Sequence, residues 1–206
     1  EEVEIDRPMS NEVLIRTAAS GVCRTDLHHV DGSYSHELPV ILGHEASGTV
    51  EAVGDAVTYV SPGDRVITCL STFCGHCEMC LAGRPVLCSR EGIERTQTDQ
   101  PKLHRAEEKI HQYLRLSSFA EQMLVHQNSL VRVEDDTPFE QLALVGCGVT
   151  TGLGAVLNTA RIAPGSTVAV IGCGGVGLSA VQGARIAGAL RIIAIDMVET
   201  KLATAM

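Results

Sequence analysis

The 206-residue chain holds 16 Lys and Arg against 25 Asp and Glu, a formal charge of −9, and 45% of its residues are hydrophobic. That balance fits a globular protein with a real core and excludes a disordered chain. The acidic charge and an aromatic content of 3% exclude the basic, stacking surfaces that bind nucleic acid.

The opening EEVEIDRPMS is acidic and has no apolar h-region, so no secretory signal is legible in it. A cytoplasmic chain in one large or two small domains is expected. The segments EVLIRTAASGVC (12–23), ASGTVEAVG (46–54) and GDRVIT (63–68) alternate apolar and polar residues between Gly, Pro and Asp turns, a strand signature. Residues 90–116 are polar and are expected to form a long surface excursion. Strands resume in SFAEQMLVH (118–126) and SLVRVE (129–134).

Between these strands lies CGHCEMCLAGRPVLC, residues 74–88, with Cys74, Cys77, Cys80 and Cys88 separated by two, two and seven residues. Disulfides, an iron–sulfur cluster and a metal ion all use cysteines at close spacing. In a reducing compartment clustered thiols more often hold metal, and four of them fill the tetrahedron of a zinc ion. A site closed by four thiolates leaves no room for substrate, so the expected role is structural.

Thr137–Pro138 opens a helix over FEQLALVGCGVTTGLGAVLNTA (139–160). The run from Ile162 to Ala184 is uncharged and long enough for a bilayer, but its Pro and glycines predict a strand, a turn and a packed helix instead. Val168 to Ile171 forms the strand, Gly172, Gly174 and Gly177 form G-x-G-x-x-G, and helical spacing runs from Val176 to about Ala187. A second strand spans Arg191 to Ile195 and ends on Asp196. Glycines at a strand-to-helix turn let backbone approach a pyrophosphate, and the helix N-terminus favours its charge. A carboxylate at the end of the second strand accepts from a ribose diol and repels a 2′-phosphate, which favours NAD over NADP.

CRTD (23–26), GHE (43–45), the C-x2-C-x2-C-x7-C loop, GCGVTTG (146–152) and GCGGVG (172–177) occur in that order. Through them the chain resembles the zinc-dependent medium-chain alcohol dehydrogenases along nearly its whole length. The resemblance implies an α/β plus β fold. A GroES-like β-rich catalytic domain over 1–146 would be followed, over 147–206, by the N-terminal part of a doubly wound Rossmann domain. It implies that Cys23, His44 and Cys147 bind a catalytic zinc whose fourth position stays open, and that Glu45 can approach the metal. Asp26 would orient His44. Thr25 and His28 match the family's proton relay. Arg24 would contact the pyrophosphate, Thr151 would position the nicotinamide, and Val176 would pack near its ring beside Gly172, Gly174, Gly175 and Gly177.

The implied cofactors are two zinc ions and NAD. The implied reaction moves a hydride between a primary or secondary alcohol and NAD, giving an aldehyde or ketone. A small alcohol or aldehyde is the expected partner, with no nucleic acid or membrane, and a homo-oligomer is expected for the full-length parent. A glutathione-adduct (formaldehyde) dehydrogenase and a polyol dehydrogenase are alternatives within the family. A non-catalytic zinc-binding module is the alternative outside it. Family chains are longer, and this one stops at Met206 after one β-α-β unit. On that reading the chain is a piece of a longer enzyme and turns over weakly by itself.

Overall fold

The computed structural model describes residues 2–206, and the chain divides into two units, one ending at Gly146 and one running from Cys147 to Met206. In the first, period-two patterning becomes a sheet. Strand β1 spans Glu4–Ile5, β2 spans Glu12–Gly21, helix α1 spans Arg24–Val30, β3 spans Val40–Ile41, β4 spans Glu45–Val53 and β5 spans Arg65–Thr68. A single-turn helix α2 (Glu78–Leu81) lies in the cysteine loop. Short strands β6 (Leu103–Arg105), β7 (Glu108–Lys109) and β8 (His111–Gln112) precede β9 (Gln122–His126) and β10 (Leu130–Val133).

The main sheet has the order β10-β5-β4-β2-β9, with every neighbouring pair antiparallel. Alternation along β2 sends Val13 and Ile15 fully out of solvent, where they meet Val50, Val66, Leu116, Met123 and Val125. This core fixes the far end of β2 and the near end of β4, between which α1 begins. Site residues therefore hang from the rigid part of the unit.

Residues 90–116 are not the loose surface excursion that their polarity suggests. Strand β6 pairs with β1, Ile5 opposite Leu103, and β8 pairs in parallel with β3. Ile93, Leu103, Ile110, Tyr113 and Leu116 are buried. Several of the surrounding charges are held in ion pairs. Arg95 holds Asp6 and Glu12, Lys102 reaches Glu12 at 3.3 Å, and Arg115 reaches Glu94 at 2.5 Å. Few apolar residues at irregular spacing, diluted by charges that find partners, give no periodicity to read.

Helix α3 (Phe139–Leu144) packs on β2 and β4. The helical path continues through a wider π-type turn at Val145–Val149, helix α4 (Thr150–Gly154) and a second π-type stretch to Ala160. By length and composition alone Phe139–Ala160 would pass for a membrane span, a test that core helices also meet.

The second unit contains the strand–turn–helix–strand that its sequence encodes. Strand β11 (Thr167–Ile171) and β12 (Arg191–Ile195) pair in parallel, Val168 opposite Ile192 and Val170 opposite Ala194. Helix α5 (Gly175–Ile186) connects them, with Gly188 at φ 79° closing its end, and α6 (Glu199–Ala205) follows β12. Gly183 and Gly152 let α5 and α4 approach closely, since a Cβ on Gly152 would lie 2.4 Å from the Val176 carbonyl oxygen. The uncharged run from Ile162 is thus a strand, a turn and a helix. Ile171 at the end of β11 and Leu190 just before β12 remain more than 80% exposed.

Candidate metal and nucleotide sites

The cysteine loop brings four sulfurs to one point. The Sγ atoms of Cys74, Cys77, Cys80 and Cys88 all lie within 4.8 Å of one another. Cys74 and Cys80 are 4.0 Å apart, and Cys77 and Cys88 are 3.8 Å apart. Sulfurs at the corners of a tetrahedron with Zn–S near 2.3 Å are separated by about 3.8 Å. A disulfide needs about 2.05 Å, and an iron–sulfur cluster, larger than one ion, needs its thiolates farther apart.

Backbone donors prepare these sulfurs for negative charge. Cys88 Sγ accepts from the amides of Cys74 and Arg90 at 3.2 and 3.1 Å, and Cys74 Sγ accepts from Cys77 at 3.3 Å. The amides of Cys80 and Ser89 draw the Cys77 thiol down to about 5. Burial pushes Cys80 up to about 12, against the pull of the Gly75 amide. Burial also raises Cys88, but the Cys74 and Arg90 amides outweigh it and hold that thiol below its ordinary value. The loop distributes charge unevenly among four adjacent sulfurs. A divalent cation would let all four ionise, releasing protons as it binds.

A second cluster forms where β2, α1 and β4 meet. Cys23 caps the start of α1, and the Asp26 carboxylate turns back to accept from the Cys23 amide at 3.0 Å. The other oxygen of Asp26 accepts from the Gly43 amide at 3.2 Å and lies 3.2 Å from His44 Nδ1. A carboxylate without a proton can only accept, so Nδ1 of His44 donates. Its Nε2 is then left with the free lone pair, the tautomer a metal needs. Ligating atoms of Cys23, His44 and Glu45 lie within 4.8 Å of one another, and His44 and Glu45 are buried.

Glycines make the room for Glu45. A Cβ on Gly21 would sit 2.4 Å from Glu45 Oε2. A Cβ on Gly146 would sit 2.5 Å from the Thr68 carbonyl oxygen and 3.8 Å from Glu45 Cα. Cys147 is the first residue of the second unit and is joined to Gly146 by a peptide bond. The remaining wall of His44 is Tyr113, 5.7 Å between ring centroids and 3% exposed. Sequence reasoning missed Tyr113 because it lies in the polar stretch read as surface.

Thr25 and His28 both lie on α1. Thr25 Oγ1 is 3.5 Å from Cys23 Sγ. His28 packs its ring on Tyr34 at 5.1 Å, and its buried Nδ1 makes no hydrogen bond, with the Asp31 carboxylate 3.7 Å away. Arg24 is the exposed first residue of α1, and Thr151 is exposed in α4.

In the second unit the glycine turn has two kinds of position. Gly177 is sterically obligatory, because a Cβ there would lie 1.7 Å from the Gly172 carbonyl oxygen. Gly174 and Gly175 face open space, with nothing within 4 Å of an added Cβ. Gly174 caps α5 and offers no side-chain acceptor to its first amides. An open cradle over uncapped helix amides fits a pyrophosphate. Val176 is 47% exposed beside it. Asp196 accepts from the Cys173 amide at 2.7 Å and the Val198 amide at 2.9 Å. Those donors hold its carboxyl below the ordinary value of 3.8. Cys173 is buried, with its sulfur 3.8 Å from the Ile195 carbonyl oxygen, a small core residue and no ligand.

Residues 9–135 match the sequence profile of the alcohol dehydrogenase GroES-like domain. Among solved structures, an alcohol dehydrogenase zinc-binding domain protein from Burkholderia ambifaria is 40% identical, with a TM-score of 0.88 over 98% of this chain and 56% of its own. Benzyl alcohol dehydrogenase from Acinetobacter calcoaceticus is 38% identical, with the same TM-score and the same coverage of both chains. Galactitol-1-phosphate dehydrogenase from Escherichia coli is 32% identical, with a TM-score of 0.77 over all of this chain and 54% of its own. The chain thus spans a little over half the length of these relatives. The profile match over more than half of the residues, together with these structural matches, shows that the chain belongs to the zinc-dependent medium-chain alcohol dehydrogenase family.

Proposed function

We propose that the chain carries the metal and nucleotide machinery of an NAD-dependent zinc alcohol dehydrogenase, which interconverts a primary or secondary alcohol and its aldehyde or ketone in the cytoplasm. The observation that carries this reading is the buried Asp26–His44 pair, which leaves a histidine Nε2 beside Cys23 and Glu45. In this proposal Cys23, His44 and Cys147 hold one zinc and the four-cysteine loop holds another. A zinc ion in the Cys23–His44 site supplies the Lewis acidity that makes an alcohol hydroxyl give up its proton near neutral pH.

The chain's own residues do the rest. Asp26 fixes the His44 ring and raises its basicity as a ligand. Thr25, whose hydroxyl already lies near Cys23, holds the hydroxyl proton, and His28 passes it outward from the exposed side of α1. The uncapped amides of α5 and Arg24 hold the dinucleotide pyrophosphate. Asp196 holds the adenosine ribose, while Thr151 and Val176 border the nicotinamide. Glu45, buried and close to both ligands, is a carboxylate that could approach the metal. The full-length protein is proposed to act as a homo-oligomer.

The relatives named for benzyl alcohol and galactitol 1-phosphate support an alcohol as substrate, and a polyol is included in that class. Cobalt exchange tests the metal half of the proposal. Two cobalt ions per chain, one tetrathiolate spectrum and one mixed sulfur–nitrogen spectrum lost in Cys147→Ser, are expected. A single ion with tetrathiolate bands alone in folded protein would favour the non-catalytic zinc module. Alcohol-dependent NADH formation, abolished by Cys23→Ser, tests the chemistry.

A further inference from the structure

The first unit holds a third set of potential ligands, outside both cysteine-containing clusters. His36 donates from Nδ1 to the Glu37 carbonyl oxygen at 2.9 Å, since a carbonyl can only accept. His111, at the start of β8, places Nδ1 3.1 Å from a Glu37 carboxylate oxygen. Both neutral rings therefore keep the proton on Nδ1 and leave the Nε2 lone pair free. That is the arrangement by which a carbonyl or carboxylate orients a metal-bound histidine. The two ring centroids are 6.3 Å apart at 71°. Rings bound to one ion through nitrogens at about 2.0–2.1 Å have centroids about 5–6 Å apart, so a small rotation of the exposed His36 closes the gap.

Both rings line one cavity of about 470 Å³, which also receives Glu37, Glu94, Lys109 and Arg115. Arg115 is already paired with Glu94, and Arg95 and Lys102, which also line the cavity, are paired with Asp6 and Glu12. The cavity is polar and solvent-connected, so water can complete a coordination shell. We propose that His36 and His111, oriented by Glu37, form a site for a borderline divalent transition ion such as Ni²⁺, Cu²⁺ or Zn²⁺. Imidazole pairs suit these ions, and carboxylate-preferring Mg²⁺ and Ca²⁺ are not expected to bind. The ion would tie the loop after α1 to β8. Its neighbours His36 and Tyr113 are 5.8 Å apart, and Tyr113 is the ring that also walls His44.

Nickel provides the test, using protein that retains whatever metal it purifies with. Calorimetric titration is expected to show one further equivalent bound with no release of zinc. Thermal melting should rise with nickel concentration, because a ligand bound only by the folded state stabilises it. His36→Gln and His111→Gln should each weaken this binding at least tenfold, and Glu37→Gln about tenfold. His104→Gln should leave it intact. Circular dichroism confirms that each variant is folded. Nickel uptake matched by zinc release, absence of a further equivalent, or retention of it in the His36→Gln/His111→Gln double variant would overturn the assignment.

Discussion

Asp26 and His44 face each other with almost no solvent between them: 3.2 Å separates carboxylate from Nδ1, and the two side chains are 2% and 1% exposed. The same carboxylate accepts from Cys23 and Gly43, so one residue orients a proposed ligand, caps the helix that starts at another, and ties down the turn before β4. Asp26→Asn keeps the volume but loses the charge, and its NH2 must face either the Cys23 amide or the Gly43 and His44 donors. The catalytic-site metal is expected to bind 10–100-fold more weakly, while the four-cysteine site keeps its ion. Metal content after graded dialysis against a chelator checks this. Equal loss from both sites would mean that the variant has lost its fold rather than its ligand geometry.

The glycine turn separates packing from binding. Gly177→Ala puts a methyl 1.7 Å from a carbonyl oxygen that the backbone cannot easily move. A destabilisation of about 3 kcal/mol or more is expected for the second unit. Gly174→Ala meets nothing and has a φ of −80°, so stability should stay within about 0.5 kcal/mol. Its methyl would instead occupy the open cradle, and NADH binding should fall at least tenfold. Melting and NADH fluorescence, measured on both variants, should show opposite patterns. NADH binding unchanged in Gly174→Ala would remove the pyrophosphate from that cradle.

What the sequence disclosed and what it hid have physical causes. The β-α-β unit was legible because its rules are local: Gly at a fixed offset, a switch from period two to 3.6, and Gly188 at the helix end. The four-cysteine site was legible because its ligands share one short loop. Tyr113 and Arg95 were hidden because their partners are distant, His44 and Asp6 respectively. A lone Tyr or Arg in a polar run carries no sign of burial. The grouping of Cys23 with His44 and Glu45 was legible only through motif order. Its geometric basis, a helix cap on one strand end and a histidine at the start of the next, needs the β2–β4 register.

Arg95 predicts an acid limit to stability. Its side chain is 8% exposed and serves Asp6, Glu12 and the carbonyl oxygens of Arg7 and Gln100. Burial alone would raise Glu12, but the bond from Arg95 and the charge of Lys102 outweigh it and hold the carboxyl below 4.5. A depressed carboxyl contributes stability that is present above its unfolded value and lost as pH falls through its folded value. His126 adds an earlier phase. Burial and the Lys102 charge lower it from 6.5, so folding is opposed by its protonation as pH drops below that value. Denaturation midpoints should thus decline in two stages, below about 6.5 and again below about 4.5. Arg95→Met should cost about 3 kcal/mol at neutral pH. It should also flatten the lower stage, because Glu12 then titrates nearer its unfolded value. An unchanged acid limb in this variant would assign the loss to other carboxylates.

Asp196 gives the sharpest prediction for the nucleotide. Its two oxygens are already engaged by the Cys173 and Val198 amides, which keep it ionised and fix it at the end of β12. Each oxygen retains a further lone pair for a ribose hydroxyl. The negative charge, held in place by backbone rather than by a mobile cation, should repel a 2′-phosphate. Asp196→Asn removes that charge at constant size. The ratio of NADH to NADPH affinity should fall by about tenfold, equivalent to about 1.4 kcal/mol. Asp196→Ala goes further, because the Cys173 amide loses its acceptor beside a buried side chain. A stability loss of about 1–2 kcal/mol is expected in that variant and a smaller one in Asp196→Asn, whose amide oxygen can still accept from Cys173 while its NH2 turns to the exposed Val198 amide. Nicotinamide fluorescence measures both affinities directly, since the chain has no Trp to interfere. An affinity ratio that Asp196→Asn leaves unmoved would place the ribose elsewhere on the second unit and leave Asp196 with only its backbone role.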